Sequence, residues 1–241
     1  MSELLIENRG PVRILTMNRP DKRNALNQVL TQALLDGLRA ADADESVASI
    51  VLTGAGSAFC AGADLTEFKD LTPANQPLVE RRAELTMNLQ GIFSRLAKPV
   101  VSAVNGAAMG GGAGLALGGD VAVMASTAKL GYPEVKHGIV AAVVMANLVR
   151  NVGRKAAFEL VATGEPIDAA RALALGLVNR VTAPDQLMAE ALALAEKFAG
   201  VDRAAMAATK QLFYRVHDLP FEQALAEGRD VNKRMRAFRQ R

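Results

Sequence analysis

The chain has 241 residues, of which 50% are hydrophobic and 22% are charged, and its formal net charge is +3. This composition excludes a disordered chain, and the single cysteine, Cys60, excludes an internal disulfide or a metal site built from several thiolates. No apolar run approaches the ~20 residues that a membrane-spanning helix needs, so we expect a metal-free protein of the reducing cytoplasm with no membrane partner.

The first half of the chain alternates predicted strands and helices. A turn at Gly10 and Pro11 separates two strand patterns, which predicts an opening hairpin. Leucines at spacings of four then indicate an amphipathic helix, and the apolar run at 50–52 is typical of a strand covered on both faces. In chain order the predicted elements are strands over 4–8 and 12–17, a helix over 26–42, a strand over 48–53, a helix over 76–97 and a strand over 100–104.

A third repeat of this pattern follows, and the remainder of the chain is predicted to be helical. A helix over 110–117 leads into a strand over 120–124, and beyond residue 142 the sequence is almost wholly of helical type. No stretch rich in Pro, Gly or Ser separates the two parts. The sequence therefore predicts an α/β fold with a helical C-terminal portion.

The chain ends in a basic segment. Its last thirteen residues contain one acid, Asp230, and the basic residues Arg229, Lys233, Arg234, Arg236, Arg239 and Arg241. Only Phe238 interrupts the run, whereas nucleic-acid binding favours basic residues interleaved with several aromatic ones, so no nucleic-acid partner is expected. Val231, Met235 and Phe238 recur at spacings of four and three, which predicts a last helix whose apolar stripe docks on the core or on an adjacent subunit.

Two glycine-rich loops, each after a predicted strand, are the most informative features. They are SAFCAGADL at 57–65 and VNGAAMGGGAGLALGGD at 104–120. The second does not fit the dinucleotide pattern G-x-G-x-x-G, because Leu117 stands at the last glycine, and it lacks the Lys and Ser or Thr of a phosphate loop. Two interpretations stay open: N–H groups that converge on one developing oxyanion, or close helix packing.

Six segments, in order along nearly the whole chain, resemble the crotonase superfamily, the enoyl-CoA hydratase/isomerase family. They are RPDKRNALN at 19–27, SAFCAGADL at 57–65, KPVVSAVNGAAMGGGAGLAL at 98–117, the strand at Asp120, LGYPEVKHGIV at 130–140 and ATGEPIDAARALALGLVNRVT at 162–182. The resemblance implies a crotonase-like spiral of ββα units, which we place over residues 1–185, and a dependent helical region over 186–241 that serves trimerisation. It also implies a homo-oligomer, either a trimer or a hexamer.

The resemblance further implies an acyl-CoA thioester substrate, whose enolate is stabilised by two backbone N–H groups. These belong to Ala63 and Gly111, and no cofactor is implied beyond the CoA of the substrate. The residues expected at the substrate and its CoA are Lys22, Arg23, Ala25, Ala61, Ala63, Asp64, Leu65, Gly110 and Gly111. The two basic residues equally fit a solvated turn, and the aspartate also fits a helix-capping box with Glu67.

Hydratases of this family use two glutamates, and here only one is present. Glu134 keeps the position in the Pro-Glu motif, whereas Gly114 stands where the other acid is expected. One carboxylate can take a proton from one carbon and return it to another, so double-bond isomerisation is favoured over hydration, with Glu134 as the single general acid/base. Cys60 is expected to pack rather than to react. The residues considered as replacements for the missing acid are Glu67, Glu80, Glu84 and His137.

Three alternatives stay open beside an isomerase. The first is a hydratase that works with one glutamate. The second is an enzyme of another CoA-thioester reaction, such as decarboxylation or hydrolysis, and the third is a non-catalytic subunit that binds a CoA thioester. The sequence does not indicate the acyl chain.

Overall fold

Two β-sheets form the centre of the molecule. A computed structural model describes residues 2–238, except for the side chains of Asp70, Ala237 and Phe238. The strands are β1 (Leu4–Arg9), β2 (Val12–Met17), β3 (Ser49–Gly54), β4 (Ala58–Cys60), β5 (Val100–Val104), β6 (Ala107–Met109), β7 (Val121–Ala125), β8 (Lys129–Gly131), β9 (Ile167–Asp168) and β10 (Arg180–Thr182). One sheet has the strand order β1-β2-β3-β5-β7-β10, and the other has the order β4-β6-β8-β9.

Helices surround these sheets and form most of the C-terminal part. They are α1 (Gln28–Ala43), α2 (Gln76–Gln90), α3 (Gly111–Gly118), α4 (Met145–Asn151), α5 (Arg154–Thr163), α6 (Ala169–Ala174), α7 (Leu187–Ala199), α8 (Arg203–His217) and α9 (Phe221–Phe238). Within the described range, none of them combines the length and the apolar character that crossing a bilayer requires.

The chain winds as a spiral of ββα units. A long strand in the larger sheet is followed by a three-residue strand in the smaller sheet, as in β3-β4, β5-β6 and β7-β8. The long strands β3, β5 and β7 pair in parallel, and so do the short strands β4, β6 and β8. Each unit therefore adds one long strand to the larger sheet and one short strand to the smaller sheet. The connections that follow the short strands lie along one edge.

The hydrophobic core includes the larger sheet and the helices α1 and α7 that pack against it. Leucines 30, 34 and 38 of α1 are fully buried, as their spacing predicts, and every residue of β3 is buried. From the predicted C-terminal region, α7 packs against strands β3, β5 and β7. The Ser49 hydroxyl donates to the carbonyl of Ala195 across 2.8 Å, which fixes α7 to the sheet. The helical region beyond residue 185 thus contributes directly to this core.

The last two helices pack on each other. Val231 and Met235 of α9 are half-buried and line a groove with residues of α8, whereas the basic side chains at 233, 234 and 236 are exposed. The backbone and these two residues agree with the predicted amphipathic last helix. The side chain of Phe238 and the residues Arg239 and Arg241 lie outside the described part.

Several predicted boundaries are wrong. The helix expected over 76–97 ends at Gln90, where Gly91 caps it, and a short 3-10 turn over Phe93–Arg95 leads to β5. The three-residue strands of the smaller sheet were not predicted, because so few residues carry no recognisable alternation. The region beyond 142 is mostly helical, as predicted, but it also contributes two short strands, of which β10 joins the larger sheet beside β7.

A buried ion pair connects the sheet to α8. The carboxylate of Asp120, just before β7, accepts from the Lys210 ammonium at 2.7 Å, the Tyr214 hydroxyl at 2.8 Å and the Val100 N–H at 2.7 Å. Lys210 also donates to the carbonyl of Lys98. Burial lowers the pKa of Lys210, and the charge of Asp120 partly offsets this effect. In the folded protein, direct hydrogen bonds therefore replace water at both the ammonium of Lys210 and the carboxylate of Asp120.

Replacing Lys210 by methionine is expected to destabilise the fold. The substitution leaves the largely buried carboxylate of Asp120 without its counter-charge, which costs about 3 kcal/mol of unfolding free energy. Denaturant unfolding at fixed protein concentration measures the loss. The matched control is Arg180→Met, which breaks the half-exposed pair with Glu190 and should cost no more than about 1 kcal/mol. Equal losses for both variants would contradict the structural role of the buried pair.

Candidate active site

The two glycine-rich loops pack backbone against backbone. A Cβ atom on Gly112 would overlap the carbonyl oxygen of Cys60 and lie 2.7 Å from its Cβ. A Cβ atom on Gly62, whose φ is +90°, would lie 2.7 Å from the carbonyl oxygen of Met109. Only glycine allows this approach and this backbone conformation without strain. The glycines therefore let the start of α3 lie directly on the loop that follows β4.

This packing brings two free N–H groups together. Gly111 is the first residue of α3, so its N–H has no partner inside the helix. Hydrogen bonds from Leu26 to Gly62 and from Asp64 to Leu26 hold the peptide of Ala63 between them, and the Ala63 nitrogen lies 3.9 Å from the Cβ position of Gly111. Across residues 2–238, neither N–H donates a hydrogen bond to the protein. The two donors form a small patch of positive potential.

The carboxylate of Glu134 lies at the beginning of the same helix. Glu134 is in the 3-10 turn Pro133–His137 that follows β8, and its Oε1 is 2.6 Å from the Cβ position of Gly110. Its Oε2 is buried and has no hydrogen-bond partner in the described part of the chain. Burial raises the pKa of Glu134, while a backbone hydrogen bond and the charge of His137 lower it by smaller amounts. A carboxylate with these properties suits proton transfer.

Most residues expected at the CoA lie on one connected surface beside these groups. Lys22 and Arg23 are exposed, and the carbonyl of Arg23 accepts from the N–H of Ala61 at 2.9 Å. Ala63 and Leu65 are also exposed, whereas Ala61 and Ala25 are half-buried. On the other loop, Gly111 is half-buried and Gly110 is buried. The carbonyl of Ala25 is engaged by the guanidinium of Arg19 at 2.5 Å.

Asp64 is occupied by protein partners. Its buried carboxylate accepts from the N–H and hydroxyl of Thr66 and pairs with Arg19 at 2.9 Å, and the hydrogen bond from the Thr66 hydroxyl is the main reason that the pKa of Asp64 is lowered. The predicted capping box is only half formed, because the carboxylate of Glu67 accepts from the N–H of Gln28 at the start of α1 instead. The main chain of Asp64 is engaged as well, since its N–H donates to the carbonyl of Leu26 and its carbonyl accepts from the N–H of Glu67.

Gln90 fills the space beside Gly114, the residue at which the missing acid is expected. A Cβ atom on Gly114 would overlap Oε1 of Gln90 and lie 2.8 Å from a methyl group of Val144. Nε2 of Gln90 donates to the carbonyl of Gly111 at 2.9 Å. The predicted replacements are elsewhere: Glu67 binds the start of α1, and Glu80, Glu84 and His137 are exposed. The sequence pattern does not indicate Gln90, because the helix that contains it was predicted to continue to residue 97. The one signal in the sequence is the glycine at 114, which indicates that another side chain fills the space beside it.

Cys60 and Tyr132 are buried below the loops. Burial raises the pKa of the Cys60 thiol to about 12, so the thiol stays protonated and is not a nucleophile at neutral pH. The Tyr132 hydroxyl is buried and finds no hydrogen-bond partner among residues 2–238, and burial also raises its pKa. In the same range, no three side chains of the types His, Cys, Asp and Glu come together in an arrangement that could hold a metal ion.

Comparison with known proteins agrees with the fold. Residues 7–239 match the family model described as enoyl-CoA hydratase/isomerase, and the chain belongs to this family, the crotonase superfamily. The 2,3-dehydroadipyl-CoA hydratase of Escherichia coli is 39% identical, with 96% of this chain and 89% of that protein covered.

Solved structures of both hydratases and isomerases resemble the chain. An enoyl-CoA hydratase from Mycobacterium smegmatis has a TM-score of 0.91 at 37% identity, covering 96% of this chain and 90% of that one. A monofunctional enoyl-CoA isomerase from M. smegmatis has a TM-score of 0.80 at 30% identity, covering 93% and 99%. The chain is therefore an enzyme of the hydratase/isomerase family with an acyl-CoA substrate.

Replacing Gly112 by alanine is expected to destabilise the fold. The added methyl group overlaps backbone atoms of Cys60, which cannot rotate away, and such overpacking costs about 2 kcal/mol or more. Thermal and denaturant unfolding measure the change. Gly228→Ala on α9 is the control, because a Cβ atom there meets nothing within 4 Å and should stabilise the helix by about 0.5–1 kcal/mol. A Gly112→Ala protein as stable as this control would disprove the close packing.

Proposed function

We propose that the chain stabilises the enolate of an acyl-CoA thioester at the N–H groups of Ala63 and Gly111, with Glu134 as its single general acid/base. The observation that carries this proposal is the half-buried Glu134, whose Oε2 is buried, beside the first turn of α3 and next to two N–H groups that no acceptor among residues 2–238 occupies. Preorganised donors of this kind stabilise negative charge that develops in the transition state, and each is worth about 3–4 kcal/mol.

For a 3-enoyl-CoA substrate this arrangement supports double-bond isomerisation. Glu134 takes a proton from the α-carbon, and the electron pair moves onto the thioester oxygen held by Ala63 and Gly111. Protonated Glu134 then returns the proton to the γ-carbon, so the double bond moves into conjugation and the carboxylate is regenerated. One carboxylate is enough for both transfers, which is why a site with Gly114 in place of the second acid favours this reaction.

The exposed surface beside the first loop suits the CoA part of the substrate. Lys22 and Arg23 offer two cations for its phosphates, and the hydrogen bond from the Ala61 N–H to the Arg23 carbonyl joins their turn to the loop that carries Ala63 and Leu65. The thioester would then lie against the backbone of Gly110 and Gly111, of which Gly111 is half-buried and Gly110 is buried. We also infer that the exposed apolar side chains of α8 and α9, such as Phe213 and Leu225, are covered in a homo-oligomer, a trimer or a hexamer.

Hydration of a 2-enoyl-CoA is the second candidate reaction. The names of the E. coli relative and of the M. smegmatis hydratase structure favour it. Chemically, Glu134 would take a proton from water while the oxygen adds to the β-carbon, and would then pass a proton to the α-carbon. Both candidates share the enolate, the N–H pair and Glu134.

The variant Glu134→Gln tests the shared chemistry. The amide keeps the shape but cannot carry a proton, so α-proton exchange in deuterated water and turnover of 2-enoyl- and 3-enoyl-CoA panels should fall by at least about 10²-fold. Acyl-CoA binding should stay within a few-fold. Glu165→Gln, which changes an exposed glutamate paired with Lys136, serves as the control with unchanged rates. Undiminished exchange in Glu134→Gln would refute the proposal.

The pH dependence of α-proton exchange provides a second test. Proton abstraction needs ionised Glu134, and burial raises its pKa, so exchange should be lost as the pH falls through a value above that of an ordinary glutamate. The positive charge of His137 lowers the pKa of Glu134, so His137→Gln should move this acid limb to higher pH. An acid limb at or below the ordinary glutamate pKa would show that Glu134 is not the titrating base.

A further inference from the structure

Gln90 is a buried amide with one half of its hydrogen-bonding capacity unused. Its residue surface is 4% exposed, and it stands at the end of α2. Nε2 donates to the carbonyl of Gly111, and a carbonyl only accepts, so this contact fixes which end of the amide faces which way. Oε1 therefore faces Gly114, where it is buried and receives no hydrogen bond from any residue in 2–238.

The location of this oxygen connects it to the proposed site. Gly114 follows Gly110 by one helical turn, and its N–H donates to the carbonyl of Gly110 at 3.0 Å. Glu134 lies against Gly110 and Gln90 lies against Gly114, so the carboxylate and the amide oxygen flank neighbouring turns of the same short helix. Leaving a buried acceptor without a donor costs about 1–3 kcal/mol, and an O–H group bound there would remove this cost.

The chemistry of an amide oxygen defines what it can bind. It accepts a hydrogen bond, but at neutral pH it neither gains nor loses a proton, so it cannot replace a carboxylate as an acid or a base. It can hold the O–H of a water molecule, or the β-hydroxyl of a 3-hydroxyacyl-CoA. The water oxygen then adds to the β-carbon, its proton passes to Glu134, and protonated Glu134 delivers a proton to the α-carbon. One water is added across the double bond and Glu134 ends as it began.

We propose that Oε1 of Gln90 binds the water or β-hydroxyl group at the β-carbon of the acyl chain and so sets the ratio of hydration to isomerisation. The inference rests on the proposed function, because it uses the proton transfer by Glu134. It adds a second contact that only hydration needs: isomerisation and α-proton exchange involve no O–H at the β-carbon. Gln90 is thus a specificity-determining residue for the reaction.

Three rates measured on the same protein separate the roles. They are dehydration of 3-hydroxyacyl-CoA, isomerisation of 3-enoyl-CoA, and α-proton exchange of a saturated acyl-CoA in deuterated water, each with straight chains of several lengths. In Gln90→Met, which keeps the size but removes the amide, dehydration should fall about tenfold, as the loss of one hydrogen bond predicts. Isomerisation and exchange should stay within about threefold of the wild type, because the N–H pair and Glu134 are untouched.

A second variant and a control keep the test decisive. Gln90→Glu retains an acceptor oxygen, so its ratio of dehydration to exchange should match or exceed that of the wild type, and this result counts even where Gln90→Met does not fold. Gln76→Leu, at the exposed other end of α2, should change none of the three rates.

The outcomes distinguish the failure of each proposal. Equal losses of all three rates in Gln90→Met would overturn the inference, since they would show that Gln90 only positions Gly111 through its Nε2. Unchanged dehydration in Gln90→Met, a fall of the ratio in Gln90→Glu, or a wild type with exchange but no dehydration would overturn it too. A wild type without exchange would instead refute the proposed function itself.

Discussion

The arrangement of the candidate site depends on one contact between two backbones, that of Gly112 with Cys60. Because Gly112 has no side chain, the first turn of α3 lies directly on the carbonyl of Cys60. The N–H of Gly111 is then placed beside Ala63, on a loop that begins more than forty residues earlier in the chain. In the proposed oxyanion site, a shift of about 1 Å at this contact would move the two N–H donors away from a shared oxygen, because catalytic geometry tolerates little displacement.

The long elements of the fold could be predicted, and the short ones could not. Strands β2, β3 and β5 have five or six residues with clear apolar patterns, and their predicted bounds differ from the observed ones by at most one residue. The strands β4, β6 and β8 have three residues each and follow from the neighbouring long strands, which bring them side by side. Such pairing depends on the tertiary structure, and a local pattern does not contain it.

The candidate site divides in the same way. Ala63, Gly111 and Glu134 stand in recognisable motifs, and the structure places them around the start of α3. Gln90 comes from the end of a helix without any motif, and only the fold brings it to Gly114. Glu67 shows the reverse case, because its spacing from Asp64 predicts a local cap, while tertiary contacts direct its carboxylate to the start of α1 instead. Spacing along the sequence therefore suggests candidate partners that are close in the chain, but it does not identify the partners that only the tertiary structure brings together.

The exchange of a carboxylate for an amide beside Gly114 has an electrostatic consequence. A second carboxylate on residue 114, one helical turn from the Gly110 that Glu134 contacts, would disfavour ionisation of both, because like charges at short range raise each other's pKa. The neutral amide of Gln90 adds no such charge, and the pKa of Glu134 is raised by burial and lowered by smaller amounts by a backbone hydrogen bond and by the charge of His137. Restoring a glutamate at 114 would also require Gln90 and Val144 to move, since both already fill the space of its Cβ. The glycine and the glutamine therefore form one unit, in which the small residue on α3 makes room for the amide from α2, and the amide adds no second carboxylate beside Glu134.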